Sequence, residues 1–374
     1  MSSLHRVRPF GPLSWILEKL PATGPWSIIG ALSAEDRCLT ATQETLRLST
    51  GTTGKLLNIT PRVLSSTRPT RPAKEHAIAW EQKRILNLRR VEVELEFRSH
   101  IVVVDAGSFL QQEDSKVNDM ALKLAEESPS DVVLDVSTMP KRYFFPLLTR
   151  LCESNHVRNL IVTNTSPLRY GDELAGDSDG PKPLPLYEGE PEIDQSPDVT
   201  LIIGVGYHQL NIQQILEENK SRRVDIKLLF PFPSIHPGFI QNWRFVEHIN
   251  KHRPRSAGNS DASEIDIIRV PVGDVSLTFD RLLQQTQDGK MSSLILAPYG
   301  PKPMSLAMCL LGVARRAKGI NPDNDAQNLP TKISYTQPSW YHPDYSSGIR
   351  RTNGVPDITA FCIRLNGRDL YVLP

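Results

Sequence analysis

Long hydrophobic runs are missing from this 374-residue chain. No stretch of apolar residues approaches the about 18 needed to cross a bilayer, so no membrane span is expected. An excess of either charge is missing too: Lys+Arg 43 against Asp+Glu 42 leave a net charge of +1. Without a global field nothing draws the whole chain to nucleic acid or a membrane surface, and any anion binding must be local. Cysteine is scarce and scattered, with Cys38, Cys152, Cys309 and Cys362 forming no C-x-x-C pair. That spacing offers neither a zinc site nor a disulfide framework and fits free thiols in a reducing cytoplasm. The N-terminus lacks the apolar core and cleavage site of a secretory signal, so a cytoplasmic location is expected.

Two nucleotide signatures are also missing. There is no G-x-x-x-x-G-K-[ST], which disfavours an NTPase. Gly204-Val205-Gly206 opens like a dinucleotide fingerprint, but Gln209 stands where the third glycine belongs. The next strand ends in Phe230-Pro231-Phe232-Pro233 and not in an acid, so a nicotinamide cofactor is not expected. The two glycines permit a tight turn or a close ligand approach. His208, His236 and His342 are dispersed, and neither a metal nor any other cofactor is expected.

What the chain does contain is a repeated alternation of short apolar runs and helical patterns. A hydrophobic fraction of 39% and a charged fraction of 23% are those of a globular protein, and the length calls for two domains. Residues 1–24, basic and proline-containing around Trp15-Ile16-Leu17, are expected to be a flexible arm. Residues 25–170 read as a first domain, with strands at Trp26–Gly30, Leu56–Ile59, Asp131–Val136 and Asn159–Thr163. Helices are expected at Glu35–Leu48, Ala73–Leu88, Val117–Glu127 and Tyr143–Cys152. Either Val91–Phe97 or Ile101–Val104 supplies a further strand. Residues 171–198, rich in Gly, Pro, Asp and Glu, read as a linker, and 199–374 as a second domain. Ile358–Leu365, Asn366-Gly367 and Arg368–Leu373 predict a C-terminal β-hairpin on a type I′ turn. The fold class is therefore α/β: two tandem Rossmann-like repeats with mainly parallel sheets and helices on both faces.

The repeat is visible in four landmarks. Gly204 in LIIGVG lies 174 positions after Gly30 in SIIGA, and Pro233 in KLLFPFPS lies 172 after Pro61 in KLLNITPR. Lys302 lies 161 after Lys141, each following a Pro and an apolar strand, and Pro338 lies 171 after Pro167, each closing a Thr-x-Pro. Four landmarks in the same order at nearly constant spacing indicate an internal duplication.

The stretch Leu294–Gly312 holds the principal candidate site. An apolar strand enters Pro298-Tyr299-Gly300-Pro301, Lys302 follows, and an apolar-faced helix begins. A strand, a turn bearing Lys and a helix N-terminus hold anions by backbone N–H groups, helix dipole and point charge together. Tyr299, Gly300, Lys302 and Ser305 would line this site, with Gly204 and Gly206 nearby; Ser137, Thr138, Lys141 and Arg142 would line its first-copy counterpart at Val132–Leu151. A Pro at a helix start followed by a solvated Lys needs no ligand, and Pro301 and Pro303 remove two N–H donors. Thr336–Ser347 gathers Thr336, Gln337, Trp340, Tyr341, His342, Asp344 and Tyr345, which could stack on a base or simply cap a core. His342 beside Asp344, or Ser305, is a weak catalytic candidate. Arg62, Arg68, Arg71, Lys74, Lys83, Arg84, Arg89 and Arg90 form a basic stretch that reads first as a solvated helix face. Direct DNA or RNA binding is disfavoured but stays open.

The turn Gly300-Pro301-Lys302-Pro303-Met304, between a strand and an apolar helix, resembles the Gly-Gly-Thr-Lys-Pro-Met-like turn of CRISPR-associated Rossmann-fold (CARF) sensor domains. Gly300, Lys302, Pro303 and Met304 match; Pro301 replaces the Thr and Tyr299 the first Gly. The first copy reads Ser137-Thr138-Met139-Pro140-Lys141-Arg142, and no nuclease effector of PD-(D/E)xK or HEPN type is evident. The resemblance implies a cyclic-oligonucleotide sensor in prokaryotic antiviral defence, with a tandem pair imitating the usual dimer and a protein partner supplying the effector activity. The expected function is that of a sensor for a nucleotide or other phosphorylated ligand, bound between the strand ends of the two halves. An enzyme acting on such a phosphoester and a non-catalytic scaffold subunit are the alternatives.

Overall fold

The computed structural model describes residues 7–20, 22–60, 71–94, 97, 100–108, 113–171, 175–178, 180–189, 193, 196–234, 238–253, 265–319, 329 and 331–374. Pro61, Arg62, Arg68 and His236, and parts of the expected arm and linker, lie outside these residues. The chain divides into two compact units: Met1–Asp177 with Pro338–Leu370, and Ser178–Gln337 with Tyr371–Pro374.

Unit 1 begins with β1 (Phe10–Pro12) and α1 (Leu13–Lys19), then alternates β2 (Ser27–Leu32), α2 (Thr40–Leu48), β3 (Thr53–Thr60), α3 (Arg71–Val93) and β4 (Ile101–Ser108). It continues through α4 (Asp114–Glu126), β5 (Asp131–Asp135), α5 (Lys141–Glu153) and β6 (Asn159–Thr165), followed by the short strands β7 (Pro167–Tyr170) and β8 (Ala175–Ser178). Its sheet runs β1-β19-β6-β5-β2-β3-β4, where β19 is the late strand Ile358–Leu365, and every pair from β6 to β4 is parallel. β2, whose six residues SIIGAL are all buried, has the near-continuous apolar character of a strand covered on both faces.

Unit 2 repeats the plan. After β9 (Lys182–Pro183) come β10 (Asp198–Gly204), α6 (Gln213–Glu218), β11 (Arg223–Pro231), α7 (Gly238–His252) and β12 (Asp266–Val270). Then follow α8 (Val275–Gln285), β13 (Leu294–Pro298), α9 (Lys302–Gly319) and β14 (Thr331–Tyr335). The sheet order β12-β11-β10-β13-β14 is parallel throughout, with β9 antiparallel on its edge. Counting from the first strand of each repeat, both sheets read 5-4-1-2-3, and each carries an antiparallel strand against its fifth. Duplicated sequence landmarks thus correspond to duplicated topology.

The sequence-based division differs from the structure at three places. The expected arm holds β1 and α1, whose Leu13 and Ile16 enter the core beside Ile28, Val133 and Ile161. A two-residue apolar face sufficed because β1 pairs with β19 and gives α1 a surface to lie on. The expected linker supplies β9, and Leu184, Tyr187 and Ile193 are buried. Of the two alternatives for the further strand, Ile101–Val104 is the one that forms it, as part of Ile101–Ser108, and Val91–Val93 closes the long helix α3.

The third difference is the C-terminal segment. β15 (Pro338–Tyr341), β16 (Ser346–Ile349), β17 (Arg351–Thr352), β18 (Val355–Pro356), β19 (Ile358–Leu365) and β20 (Arg368–Asp369) belong largely to unit 1, not to the second half. β19 and β20 form the expected hairpin, with a second strand of two residues, Arg368–Asp369, shorter than the expected Arg368–Leu373, and Asn366 and Gly367 take φ of 52° and 78°, as a type I′ turn requires. β19 extends the unit 1 sheet against β6 and is anchored by Arg364, whose guanidinium donates to the carbonyls of Ser154 (2.7 Å) and Val157 (3.1 Å) and pairs with Asp369. All four cysteines are free and buried. Burial pushes the thiols of Cys38, Cys152 and Cys362 up to about 12, so they are poor nucleophiles.

Because Ile16 is fully buried, Ile16→Ala should cost unit 1 about 2–5 kcal/mol. Chemical denaturation of the variant checks this; a loss below about 0.5 kcal/mol, ordinary for a surface site, would show that the N-terminal stretch is not part of the core.

Candidate functional site

In each unit the chain leaves the first strand toward one side of the sheet, then returns to its other side. The reversal falls between β2 and β5 in unit 1 and between β10 and β13 in unit 2. Ligands of open α/β sheets bind beyond the carboxyl ends of the strands at such a switch point. The turns that carry Lys141 and Lys302 both follow the fourth strand and so stand there.

In unit 2, α9 begins at Lys302 and runs for 18 residues. Lys302 is partly exposed at its first turn. The residues around it are occupied in building the turn. The Tyr299 hydroxyl shares a hydrogen bond of 2.7 Å with the Thr336 hydroxyl, tying the end of β13 to the end of β14. Tyr299 is buried between Phe245 and Tyr335, and burial raises its pKa well above the ordinary tyrosine value. Ser305 is fully buried and donates to the Gly300 carbonyl (3.1 Å). A β-carbon at Gly206 would overlap the Tyr299 carbonyl oxygen, and one at Gly204 would press on Met304 and Met308. These glycines serve the close approach of one strand-end turn to another. Gln337 follows Thr336 and is half-buried.

Unit 1 clasps its strand ends in the same way with different side chains. The Thr165 N–H donates to the Ser137 hydroxyl (2.7 Å), joining β5 to β6, and Thr138 donates to the Ala31 carbonyl (3.0 Å), joining β5 to β2. Thr165 and Thr336 are the threonines of the duplicated Thr-x-Pro, so that landmark marks a clasp between fourth and fifth strands. Lys141 is buried and Arg142 pairs with Asp114, which leaves Lys302 as the more accessible of the two lysines.

A buried polar cluster, not singled out by the sequence, lies at the carboxyl ends of β2, β5 and β6. Asp135 accepts through one oxygen from the Ser137 N–H (3.2 Å), the Ser137 hydroxyl and the Thr163 hydroxyl (3.1 Å). Its other oxygen, and the buried hydroxyls of Thr42 and Thr165, have no hydrogen-bond partner among the described residues. Arg37 donates twice to Glu35 (3.0 and 2.8 Å) and once to the Thr165 carbonyl (2.7 Å). Burial opposes the Arg37 charge, but Glu35 outweighs it and holds the guanidinium above its ordinary pKa. The cluster is covered by the returning segment, as Ser346 donates to Glu35 and the Gly348 N–H to Asp36 (2.8 Å). The signal that could have disclosed it was the carboxylate closing the apolar run Val132–Asp135, at a strand end next to the switch point.

The aromatic-polar stretch splits between the units: Thr336 and Gln337 lie in unit 2, and Trp340 to Tyr345 in unit 1. Tyr345 is buried edge-on against Tyr170 and Tyr341, and its pKa is raised by burial. Asp344 pairs with Lys83 (2.7 Å), and His342 lies against His76 and accepts the Asp344 N–H at Nδ1 (3.1 Å). His342 and Asp344 are therefore neighbours without a carboxylate–imidazole bond. Three residues of the basic stretch meet acids: Lys83 pairs with Asp344, Arg84 with Glu81, and Arg90 with Glu94, while Arg84 also donates to Asn58. No group of three or more His, Cys, Asp or Glu among the described residues could hold a metal. No helix among them is long and apolar enough to cross a membrane.

Burial is the dominant reason that the Asp135 pKa is raised above 3.8 in the folded chain, against the pull of its hydrogen bonds and of Arg37. The neutral form is thus favoured by folding: that contribution is full below the unfolded value and is lost as pH rises through the folded one. Asp135→Asn should raise the melting temperature at pH 7, and the gain should shrink as pH approaches 4. A gain that grows toward acid pH would reverse the sign.

Searches of protein-family models and of curated proteins find none that matches this chain.

Proposed function

We propose that the protein binds a phosphorylated ligand, of which a nucleotide is the leading class, at the carboxyl ends of the strands of unit 2. One observation carries this reading: Lys302 stands partly exposed at the N-terminus of an 18-residue helix, directly after the fourth strand and at the switch point. Helix dipole, first-turn N–H groups and an ammonium there act on the same small volume. The net charge of +1 agrees with a local, not a global, attraction for anions.

The role proposed is sensory or regulatory. Ser305 is committed to the Gly300 carbonyl, and His342 meets a backbone N–H and another imidazole, so neither forms a nucleophile–base pair. The CARF resemblance at Gly300–Met304 supports a signalling nucleotide, a place in prokaryotic antiviral defence and a protein partner that carries the effector activity.

Thermal-shift and calorimetric titration against inorganic phosphate and mono-, di- and cyclic oligonucleotides tests the proposal. A ligand at 100 times its Kd should add about 2.7 kcal/mol to stability. Lys302→Ala should weaken binding by about 1.5–3 kcal/mol, the value of a charge-assisted hydrogen bond. Lys141→Ala, at a buried position, should act on stability instead. Equal affinity of wild type and Lys302→Ala, or no binding of any phosphorylated probe, would refute the site; turnover of a probe would convert the reading to an enzyme.

A further inference from the structure

Unit 2 carries a second feature at the carboxyl edge of its sheet. Phe232 directly follows β11 and is 48% exposed, and on the first two turns of α7 Phe239, Ile240 and Trp243 are 52%, 62% and 41% exposed. Soluble chains seldom leave so many large apolar side chains together in water without a use for them. The rings are ordered among themselves: Trp243 lies 4.8 Å from buried Phe230 and 6.3 Å from Phe239 at 77°. A cation adjoins the group, for Arg269 of β12 stands in register beside Phe230 of β11 and its guanidinium sits 5.4 Å from the centre of the Phe232 ring. Arg269 is exposed and forms no ion pair among the described residues.

We infer that Phe232, Trp243 and Arg269 form a subsite for the nucleobase of the ligand whose phosphate Lys302 holds; this rests on the function proposed above. Aromatic faces and a guanidinium plane are the groups on which unpaired bases stack, and they accept any base because each has a π-face. Position argues for a small ligand shared with Lys302. β11 and β13 flank β10, and strands lie about 4.8 Å apart, so their ends are separated by roughly 10 Å. The turn between them, Gly204 to Tyr207, touches both neighbours. Gly206 abuts Tyr299 just before Lys302, and Tyr207 lies against Gly238 at the start of α7, where a β-carbon would stand 2.6 Å from its hydroxyl. A nucleoside phosphate lying over that turn meets the ammonium at one end and the rings at the other. Arg269 beside Phe232 also disfavours a plain apolar docking face, whose buried centre is depleted of charge.

The test uses the full-length chain titrated with adenosine 5′-monophosphate, ribose 5-phosphate and inorganic phosphate, read by calorimetry and by tryptophan emission. The expected result is about tenfold or tighter binding of the nucleotide than of ribose 5-phosphate. Quenching should be present in wild type and lost in Trp243→Phe. Phe232→Ser and Arg269→Gln, both at exposed positions, should bring nucleotide affinity down to that of ribose 5-phosphate and leave the latter unchanged, whereas Lys302→Ala weakens all three probes. Equal affinity of wild type for nucleotide and ribose 5-phosphate would overturn the base subsite and leave the phosphate site standing. No binding of any probe would overturn both. Nucleotide affinity unchanged in Phe232→Ser and Arg269→Gln, with self-association lost in Ile240→Asp, would reassign the patch to contact between copies of the chain.

Discussion

Each half of this protein depends on one strand with parallel partners on both of its edges. β2 lies between β3 and β5, and β10 between β11 and β13. Parallel neighbours cannot be joined by a tight turn, so a crossover helix must follow every strand, and its hand is right almost without exception. A chain that starts in the middle must run to one edge and then come back past its own first strand. The return separates two adjacent strand-end turns, and that gap is where the helices of Lys141 and Lys302 begin. Sheet order, helix placement and the position of the candidate sites all follow from this requirement.

The same requirement creates a cost that the two halves meet differently. Strand-end turns at the switch point bring backbone polar groups together, away from water, and each needs a partner. Unit 1 meets the need with hydroxyls and charge: Ser137 and Thr138 clasp neighbouring strands, and the Glu35–Arg37 pair reaches the Thr165 carbonyl. A buried ion pair is tolerable only when its remaining hydrogen-bonding capacity is filled, and the returning C-terminal segment contributes Ser346 to that end. Unit 2 uses glycine to bring two turns into contact and a Tyr299–Thr336 bond to close the next gap. The threonine of the Thr-x-Pro takes part in both clasps by different atoms, Thr165 through its backbone N–H and Thr336 through its hydroxyl. The divergence leaves a covered, polar end in unit 1, where one Asp135 oxygen and the Thr42 and Thr165 hydroxyls lack a partner among the described residues, and an end in unit 2 where Lys302 and several aromatic rings remain in contact with water.

Much of the architecture was legible because strands covered on both faces are written as apolar runs, and runs such as Ile28–Leu32 and Leu201–Ile203 have no competing interpretation. The Pro-Lys and Thr-x-Pro landmarks were legible as repeats for the same reason. Their roles were not. Whether Tyr299 faces a ligand or Thr336, and whether Ser305 is a nucleophile or a tie to Gly300, depends on side-chain direction and on which strand ends are neighbours. Arg37 and Asp135 carry no local mark of their role, because an arginine or aspartate after an apolar run is ordinarily solvated. Nothing in the local text announces that a segment more than 200 residues later will cover them. The return of residues 338–370 to unit 1 was equally hidden, since a strand can pair with any edge whose register suits it.

By itself the sequence determined the class of fold, the duplication, the type I′ turn at Asn366-Gly367 and the helix start at Lys302. These rest on residues close together in the chain: apolar period, glycine and asparagine backbone freedom, and proline at a helix start. Tertiary structure alone decided which lysine stays in reach of solvent, which atoms of the two threonines act in the clasps, and where exposed aromatic rings and Arg269 come together. Those outcomes rest on contacts between segments tens to hundreds of residues apart, and burial and hydrogen-bond pairing are settled only when such segments meet.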